Sequence, residues 1–185
     1  SWWVAVIGLI SMAVGYFYTG GSYPIAYTPF GELFSGIFMG PVIILITVFI
    51  QTGTVTWEHF YLSLSVAVLI GTLNLANNIR DLDGDKKSGR KTQAILLGRR
   101  KAIVLLSCNF FAAFVWIVIL VALDIVTAWS LLVLLSIPKA WQASRRFIGK
   151  TKPIEMMPAM KATGQLNTLF GFLLAVGLVI GYWNR

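Results

Sequence analysis

Six long runs of apolar residues divide this chain of 185 residues. A helix needs about 20 apolar residues to cross the hydrocarbon core of a bilayer. The strands of a membrane barrel would alternate apolar and polar residues, whereas these runs are continuously apolar. The sequence therefore predicts an all-α integral membrane protein, a bundle of six transmembrane helices. They are expected over residues 2–18, 33–52, 60–79, 102–123, 125–145 and 163–183.

The composition agrees with a membrane protein and argues against a nucleic-acid partner. Hydrophobic residues make up 57% of the chain and charged residues 12%, against about 45–50% and about 25% in soluble domains. Lys and Arg outnumber Asp and Glu by 15 to 7, but no separate polar domain is present to carry a basic nucleic-acid-binding face. We therefore expect membrane lipid, and no nucleic acid, around this protein.

The basic residues predict how the bundle is oriented. Nearly all Lys and Arg residues lie between the third and fourth and between the fifth and sixth predicted helices. The linkers on the other side, residues 53–58 and those around Asp124, carry none. Because short cytoplasmic loops are enriched in Lys and Arg, we expect a multi-pass protein whose basic linkers face the cytoplasm.

One of these linkers, NNIRDLDGDKKSGRKT at residues 77–92, has a helical spacing of oxygen ligands. If the third helix continues past Ile79, four side chains separated by four, three and four positions share one face. They are Asn74, Asn78, Asp81 and Asp85. Two carboxylates one turn apart, with amide oxygens below them, form the type of oxygen cluster that Mg²⁺ prefers. Asp83 points elsewhere, and the single histidine, His59, belongs to the other side of the membrane.

Five basic residues surround these acids and would repel a bare cation. They are Arg80, Lys86, Lys87, Arg90 and Lys91. A metal–polyphosphate complex, whose net charge stays negative, explains their presence, and Gly84 and Gly89 would let the chain turn back over it. A solvated loop at the end of a helix is the alternative, and a hydrogen bond between helices would satisfy Asn74.

The same stretch, with LLGRRKA after it, resembles the second aspartate-rich motif of the UbiA superfamily of intramembrane prenyltransferases. The matching residues are Asn78, Asp81, Asp85, Lys86, Gly89, Thr92, Leu97, Gly98 and Ala102. The segment YPIAYTPFGE is similar to the tyrosine–proline turn of that family. Many members have a lysine four residues after the tyrosine, whereas this chain has Tyr27 after Tyr23. The resemblance covers essentially all of the chain.

Within the superfamily, NNIRD and MPAMKATGQLNTLFGFLLAVGL look most like the branch of menaquinone biosynthesis. That branch transfers a polyprenyl group to 1,4-dihydroxy-2-naphthoate. Family members have nine transmembrane helices, so the six here would be the fourth to the ninth of a single prenyltransferase domain at residues 1–185. The resemblance implies that three helices and the first aspartate-rich motif precede this chain, which would be inactive alone.

The resemblance also implies a reaction and a membrane. Mg²⁺ held by the catalytic residues Asp81 and Asp85 would bind the diphosphate of a polyprenyl diphosphate. An aromatic acid would then accept the prenyl group, with loss of diphosphate and CO₂, to give demethylmenaquinol. The expected location is the cell inner (cytoplasmic) membrane. Other substrate-binding candidates are Asn74, Asn78, Arg80, Lys86, Arg90, Lys91, Tyr23 and Tyr27.

Several alternatives remain open on the sequence. The two tyrosines also fit the aromatic belt at the membrane interface. Lys161, Gln165 and Asn167 would contact the aromatic acid or only bond to neighbouring helices. The acceptor could be another aromatic acid such as 4-hydroxybenzoate. A membrane transporter or an assembly subunit without chemistry are the rivals from other classes.

Overall fold

The computed structural model describes residues 2–184, and every regular element in that range is helical. The α-helices are α1 (Trp2–Thr19), α2 (Gly31–Ile37), α3 (Ile43–Thr52), α4 (Trp57–Lys87), α5 (Gln93–Leu97), α6 (Arg99–Ala122), α7 (Ile137–Phe147) and α8 (Pro153–Trp183). Five helical stretches are long and apolar enough to cross a membrane. The prediction of an all-α membrane bundle is confirmed.

The second predicted span is continuous but changes its helical form at Pro41. Helices α2 and α3 are joined by a π-helical turn, Phe38–Val42, that contains this proline. A proline has no N–H and its ring crowds the carbonyl four residues earlier, so it disturbs an α-helix. A single wide π turn accommodates that disturbance. Pro41 therefore lies in a π turn between two α-helical segments.

The fifth predicted span, residues 125–145, is built from two shorter pieces. A 3₁₀-helix, Ala128–Ser136, leads directly into α7, where Pro138 lies in the first turn. At ~2.0 Å per residue for the 3₁₀ part and ~1.5 Å for the α part, the two pieces are about 34 Å long together. This length still matches a hydrocarbon core of about 30 Å. The 3₁₀ backbone at Trp129 lies directly against Gly177 of α8, and Gly181 lies against the Thr127 side chain just before the 3₁₀-helix.

Helix α4 is the central element, because it contacts α2, α6 and α8. Its buried face carries Leu69, Leu75 and Ile79, which lie in the core cluster with side chains of α6 and α8. The same helix also carries the polar residues of interest, at the end that is rich in Lys and Arg. We call this end of the bundle the basic end. The core thus fixes the position of the polar residues.

Helices α2 and α4 approach each other through glycines. A β-carbon at Gly36 would lie 2.6 Å from the carbonyl oxygen of Ala67, and one at Gly71 would lie 2.8 Å from that of Glu32. Gly40, four residues after Gly36, lies equally close to Ala67. Small residues at a spacing of four allow such backbone approach in membranes. This contact brings the start of α2 beside the polar face of α4.

We expect Gly36→Ala to destabilise the protein by about 1–3 kcal/mol, because the added methyl group must push the two backbones apart. Reversible unfolding by SDS titration in mixed micelles measures the change. Gly171→Ala is the matched control, since a β-carbon there meets no atom within 4 Å. Equal effects of the two substitutions would contradict a tight contact between α2 and α4.

Candidate functional site

The candidate site lies on the last turns of α4, which continues as an α-helix to Lys87. The predicted continuation past Ile79 is confirmed, so the two asparagines and two aspartates share a face. Gly84 was expected to turn the chain, and this is wrong: it lies inside α4. The turn comes at Gly89, whose φ of 75° is left-handed, a conformation that glycine adopts at little cost.

Both asparagines of this face are held by groups on α1 and α2. The Nδ2 group of Asn74 donates to the Tyr18 hydroxyl at 2.6 Å and to Ser35 Oγ at 3.2 Å. Asn78 Nδ2 donates to Glu32 Oε1 at 2.8 Å. The expected interhelical partner of Asn74 therefore exists. Both NH₂ groups are thus occupied, whereas neither amide oxygen accepts a hydrogen bond within residues 2–184.

Asp81 forms a two-point ion pair with the preceding residue. Arg80 Nε donates to Asp81 Oδ1 at 2.8 Å, and Arg80 Nη2 donates to Oδ2 at 2.6 Å. Bidentate pairs of this kind are the strong form of the arginine–carboxylate interaction. The Asp81 side chain keeps 40% of its surface exposed, so solvent reaches the pair. Asp81 is accessible to a ligand that competes with Arg80.

Asp85 is the buried acid of the pair, with 12% of its side chain exposed. Its Oδ1 lies 3.2 Å from Arg90 Nη1, while Oδ2 is buried without a hydrogen-bond partner among residues 2–184. The guanidinium of Arg90 also lies over the Tyr27 ring, 4.3 Å from its centre. An unpaired buried carboxylate oxygen is costly. Asp85 therefore offers one oxygen that no described group satisfies.

The segment between α1 and α2 meets the charged loop at this point; the charged loop is residues 86–92, which run from the last turn of α4 to the start of α5. The Lys91 N–H donates to the Tyr27 carbonyl at 2.7 Å, and Gln93 Nε2 donates to the Pro29 carbonyl at 2.9 Å. Tyr27 therefore belongs to the site through its ring and its backbone. Tyr23 is 91% exposed, and the structure places no described hydrogen bond or ring contact on it.

Two lysines of the loop, Lys86 and Lys91, are exposed, and neither forms an ion pair within residues 2–184. Their charges therefore face solvent at the rim of the site. Together with Arg80 and Arg90, they surround the two acids with positive charge. Such a rim attracts an anion to the acids more readily than a free cation.

Asp83 points away from the site, as predicted, and holds a different arginine. Arg99 Nη2 donates to Asp83 Oδ2 at 2.7 Å, and Arg99 Nη1 donates to the Ile79 carbonyl. This arginine at the start of α6 thus joins the last turns of α4 to the next long helix. The sequence analysis did not identify it.

The polar residues of α8 bond mainly within the bundle. Lys139 Nζ donates to Gln165 Oε1 at 3.0 Å, which gives this lysine an amide partner instead of a carboxylate. Asn167 Nδ2 donates to the Thr163 carbonyl of its own helix at 3.0 Å. Lys161 is exposed, and the structure describes no hydrogen bond from it. Gln165 and Asn167 thus bond to other groups of the protein, which is the structural alternative that the sequence left open for them.

The possible metal ligands on the α4 face fit a cation such as Mg²⁺ only in part. They are carboxylate and amide oxygens, which suit Mg²⁺ rather than zinc. Asp85 Oδ2 has no partner, but both oxygens of Asp81 are bonded to Arg80. Residues 2–184 contain no cluster of three His, Cys, Asp or Glu side chains that could enclose a metal. Water or phosphate oxygens would have to complete the coordination.

Glu32 is a buried acid beside the candidate site that the sequence motifs did not single out. It is 5% exposed and contacts Asn78 from the start of α2. A signal was present, because Glu32 is the only acidic residue in the first 57 positions and ends the YPIAYTPFGE segment. Its partner, however, could not be identified without the packing of α2 on α4.

The fold and the site define a class: helical membrane proteins with a polar site at the basic end, where acids and amide oxygens face a cationic loop. The sequence profile of the UbiA prenyltransferase family matches residues 1–161. The chain therefore belongs to the UbiA prenyltransferase family, and the resemblance read from its motifs is confirmed.

Curated relatives cover the whole chain. It is 52% identical over 184 residues to the 1,4-dihydroxy-2-naphthoate octaprenyltransferase of Bacillus subtilis (strain 168), covering 100% of this chain and 59% of that protein. The Mycobacterium tuberculosis enzyme of the same name is 29% identical, with 97% and 60% covered. Human UbiA prenyltransferase domain-containing protein 1 is 26% identical, with 96% and 50% covered. The chain thus spans between half and three-fifths of these relatives' length.

We expect Arg99→Gln to loosen the last turns of α4, because the substitution removes the charged bonds to Asp83 and the Ile79 carbonyl. Hydrogen bonds to charged groups contribute about 1.5–3 kcal/mol each. Losing them should make local opening easier, so the amide hydrogens of residues 80–88 should exchange about tenfold faster. Hydrogen–deuterium exchange with mass spectrometry measures this rate. Arg100→Gln is the control, since Arg100 is exposed and forms no ion pair in the described range. Unchanged exchange in Arg99→Gln would rule out this role.

Proposed function

We propose that the full-length protein transfers a polyprenyl group from a polyprenyl diphosphate to 1,4-dihydroxy-2-naphthoate. The reaction depends on Mg²⁺, releases diphosphate and CO₂, and gives demethylmenaquinol. The observation that carries this proposal is the face of α4, where amide and carboxylate oxygens adjoin a cationic loop in a chain of the UbiA prenyltransferase family. The 52% identity to the Bacillus subtilis enzyme supports the choice of acceptor.

We place the basic end at the cytoplasmic face of the inner membrane. The charged loop is the most basic segment of the chain, and short loops rich in Lys and Arg remain in the cytoplasm. A diphosphate is water-soluble and its prenyl tail is not. A site at the membrane boundary therefore suits a substrate that has both parts.

The acids and bases have separate tasks in this proposal. Asp81 and Asp85 would hold Mg²⁺, which neutralises charge on the departing diphosphate when it is bound. Lys86 and Lys91 are free to contact phosphate oxygens directly. Arg80 and Arg90 would exchange a carboxylate oxygen for a phosphate oxygen. Each keeps a partner during that exchange, so no charge is left unpaired.

The chemistry on the substrates needs few protein groups. The bond between the allylic carbon and diphosphate breaks, and the electron pair leaves with the diphosphate. The electron-rich ring forms a new bond to the allylic carbon. The electrons of the ring–carboxylate bond return to the ring as CO₂ departs. The contribution of the protein is to orient both substrates, to stabilise the leaving diphosphate and to exclude water.

An apolar groove of about 800 Å³ provides room for the tail. It begins beside Glu32 and Gln93 at the basic end and follows α4 from Gly71 to Phe60, about 17 Å along the helix axis. Apolar side chains of α2 and α6 line most of the remainder. A polyprenyl chain is as water-averse as lipid, so this groove suits it and shields the reacting carbon from water.

We expect Asp85→Asn to abolish most transfer, because it removes the carboxylate that has an unpaired oxygen. The loss should be at least about a hundredfold, as for other groups that stabilise charge in a transition state. The assay supplies the full-length protein in liposomes with Mg²⁺, a labelled polyprenyl diphosphate, and either 1,4-dihydroxy-2-naphthoate or 4-hydroxybenzoate. Asp124→Asn is the matched control, since it makes the same change in charge at an exposed residue after α6, which forms no ion pair within residues 2–184.

Each result of this assay has a definite meaning. A prenylated naphthalene product that requires Mg²⁺ and Asp85, but not Asp124, supports the proposal. Transfer only to 4-hydroxybenzoate overturns the acceptor and keeps the mechanism. Absence of transfer to either acid from folded protein, with several prenyl lengths, overturns the enzyme and leaves a transporter as the better reading.

We expect Tyr27→Ala to raise the KM for the polyprenyl diphosphate about two- to fivefold, because Arg90 loses the ring on which it lies. Tyr27→Phe keeps the ring and should retain the KM of the unaltered protein. Steady-state kinetics at saturating acceptor distinguish the two variants. A similar rise in KM for both would assign the effect to the hydroxyl group and contradict the stacking role.

A further inference from the structure

Glu32 is a buried carboxylate that the proposed reaction does not use. It is 5% exposed, and none of the ion pairs within residues 2–184 includes it. One oxygen, Oε1, accepts from Asn78, and the other, Oε2, is buried without a partner. An unpaired buried acid costs free energy that an apolar residue at the same place would not. The stability of the bundle therefore does not explain it.

The contact with Asn78 has a defined direction. A carboxylate has no hydrogen to donate, so only the NH₂ group of the Asn78 amide can face it. The amide is planar, and its carbonyl oxygen must therefore point to the opposite side. Asn78 Oδ1 accepts no hydrogen bond within residues 2–184. It is not one of the fully buried side-chain atoms without a partner, so part of its surface is accessible. Glu32 thus sets which atom of Asn78 faces the site.

The direction matters because the two ends of the amide suit different ligands. An NH₂ group donates to phosphate oxygens, whereas a carbonyl oxygen binds a cation or a water on that cation. Asn78 lies three residues before Asp81 on the same helix face, which places the two residues one helical turn apart. A reversed amide would place hydrogens beside the cation and repel it.

We propose that Glu32 is a positioning residue, which holds the Asn78 carbonyl oxygen toward the cation at Asp81 and Asp85. This inference rests on the proposed function, because it assumes that a divalent cation binds there. Glu32 lines the start of the groove proposed for the tail, but it binds neither the cation nor the diphosphate. The glycine contact between α2 and α4 keeps it at hydrogen-bond distance from Asn78.

The test exchanges the two partners in the full-length protein. Glu32→Met keeps the approximate shape and removes the acceptor, while Asn78→Asp places two carboxylates against each other. The double variant Glu32→Gln with Asn78→Asp reverses the pair. The amide introduced at position 32 could then donate to one oxygen of the new carboxylate and leave its other oxygen facing the site. Glu58→Met is the control, since Glu58 is exposed at the other end of α4.

Binding of Mn²⁺, followed by electron paramagnetic resonance as a substitute for Mg²⁺, gives a readout that needs no transfer. We expect Glu32→Met and Asn78→Asp each to weaken binding about tenfold. The exchanged pair should return to within about twofold of the unaltered protein. Thermal unfolding of each variant separates these effects from loss of fold. If Glu32→Met does not fold, the comparison of Asn78→Asp with the exchanged pair decides alone.

Two results overturn the positioning role. One is unaltered Mn²⁺ affinity in folded Glu32→Met, which would leave Glu32 with a structural role only. The other is an exchanged pair as weak as Asn78→Asp, which would mean that the Glu32 carboxylate is itself required. Prenyl transfer by the unaltered protein together with either result keeps the proposed function. If Mn²⁺ binding depends on Glu32 but the unaltered protein transfers no prenyl group, the proposed function is rejected and the positioning role is kept.

Discussion

The close approach of α2 and α4 is the constraint on which the polar site depends. Glycines at positions 36 and 71 let the two backbones meet without an intervening side chain. Only at that distance can the short side chain of Asn78 reach Glu32 on the neighbouring helix. These hydrogen bonds in turn occupy the NH₂ groups and leave the amide oxygens of Asn74 and Asn78 without a partner within residues 2–184. A packing feature within the apolar part of the bundle thus determines the chemistry at its basic end.

The charges at that end are arranged in two layers. Arg80 and Arg90 are bonded to the two acids of the α4 face, while Lys86 and Lys91 remain exposed around them. The arginines keep the acids from repelling each other. The lysines extend the positive field outward and attract an anion. A metal-bound diphosphate matches this arrangement, because its metal ion can bind the acids and its phosphate oxygens can bind the arginines and lysines.

The sequence predicted the parts of this structure that depend on local periodicity. Apolar runs predicted the membrane helices because length and composition are enough to decide that question. The spacing from Asn74 to Asp85 predicted their common face because α4 is one continuous helix. The pairing of Glu32 with Asn78 was out of reach, because these residues are 46 positions apart and meet only through packing. The 3₁₀ segment was missed as well, and its backbone packs against Gly177 of α8, about 50 positions away, which is a contact that no local pattern indicates.

A helix contact made of backbone has a mechanical consequence. Side chains at an interface can change rotamer when the surrounding bilayer thins or comes under tension, but Gly36, Gly40 and Gly71 have no rotamers to change. The separation of α2 and α4 therefore cannot adapt gradually: the helices stay together or part completely. Helix pairs that meet through larger side chains, such as α4 and α6, will absorb membrane strain first. The oxygens of the polar face keep their spacing while the rest of the bundle adjusts.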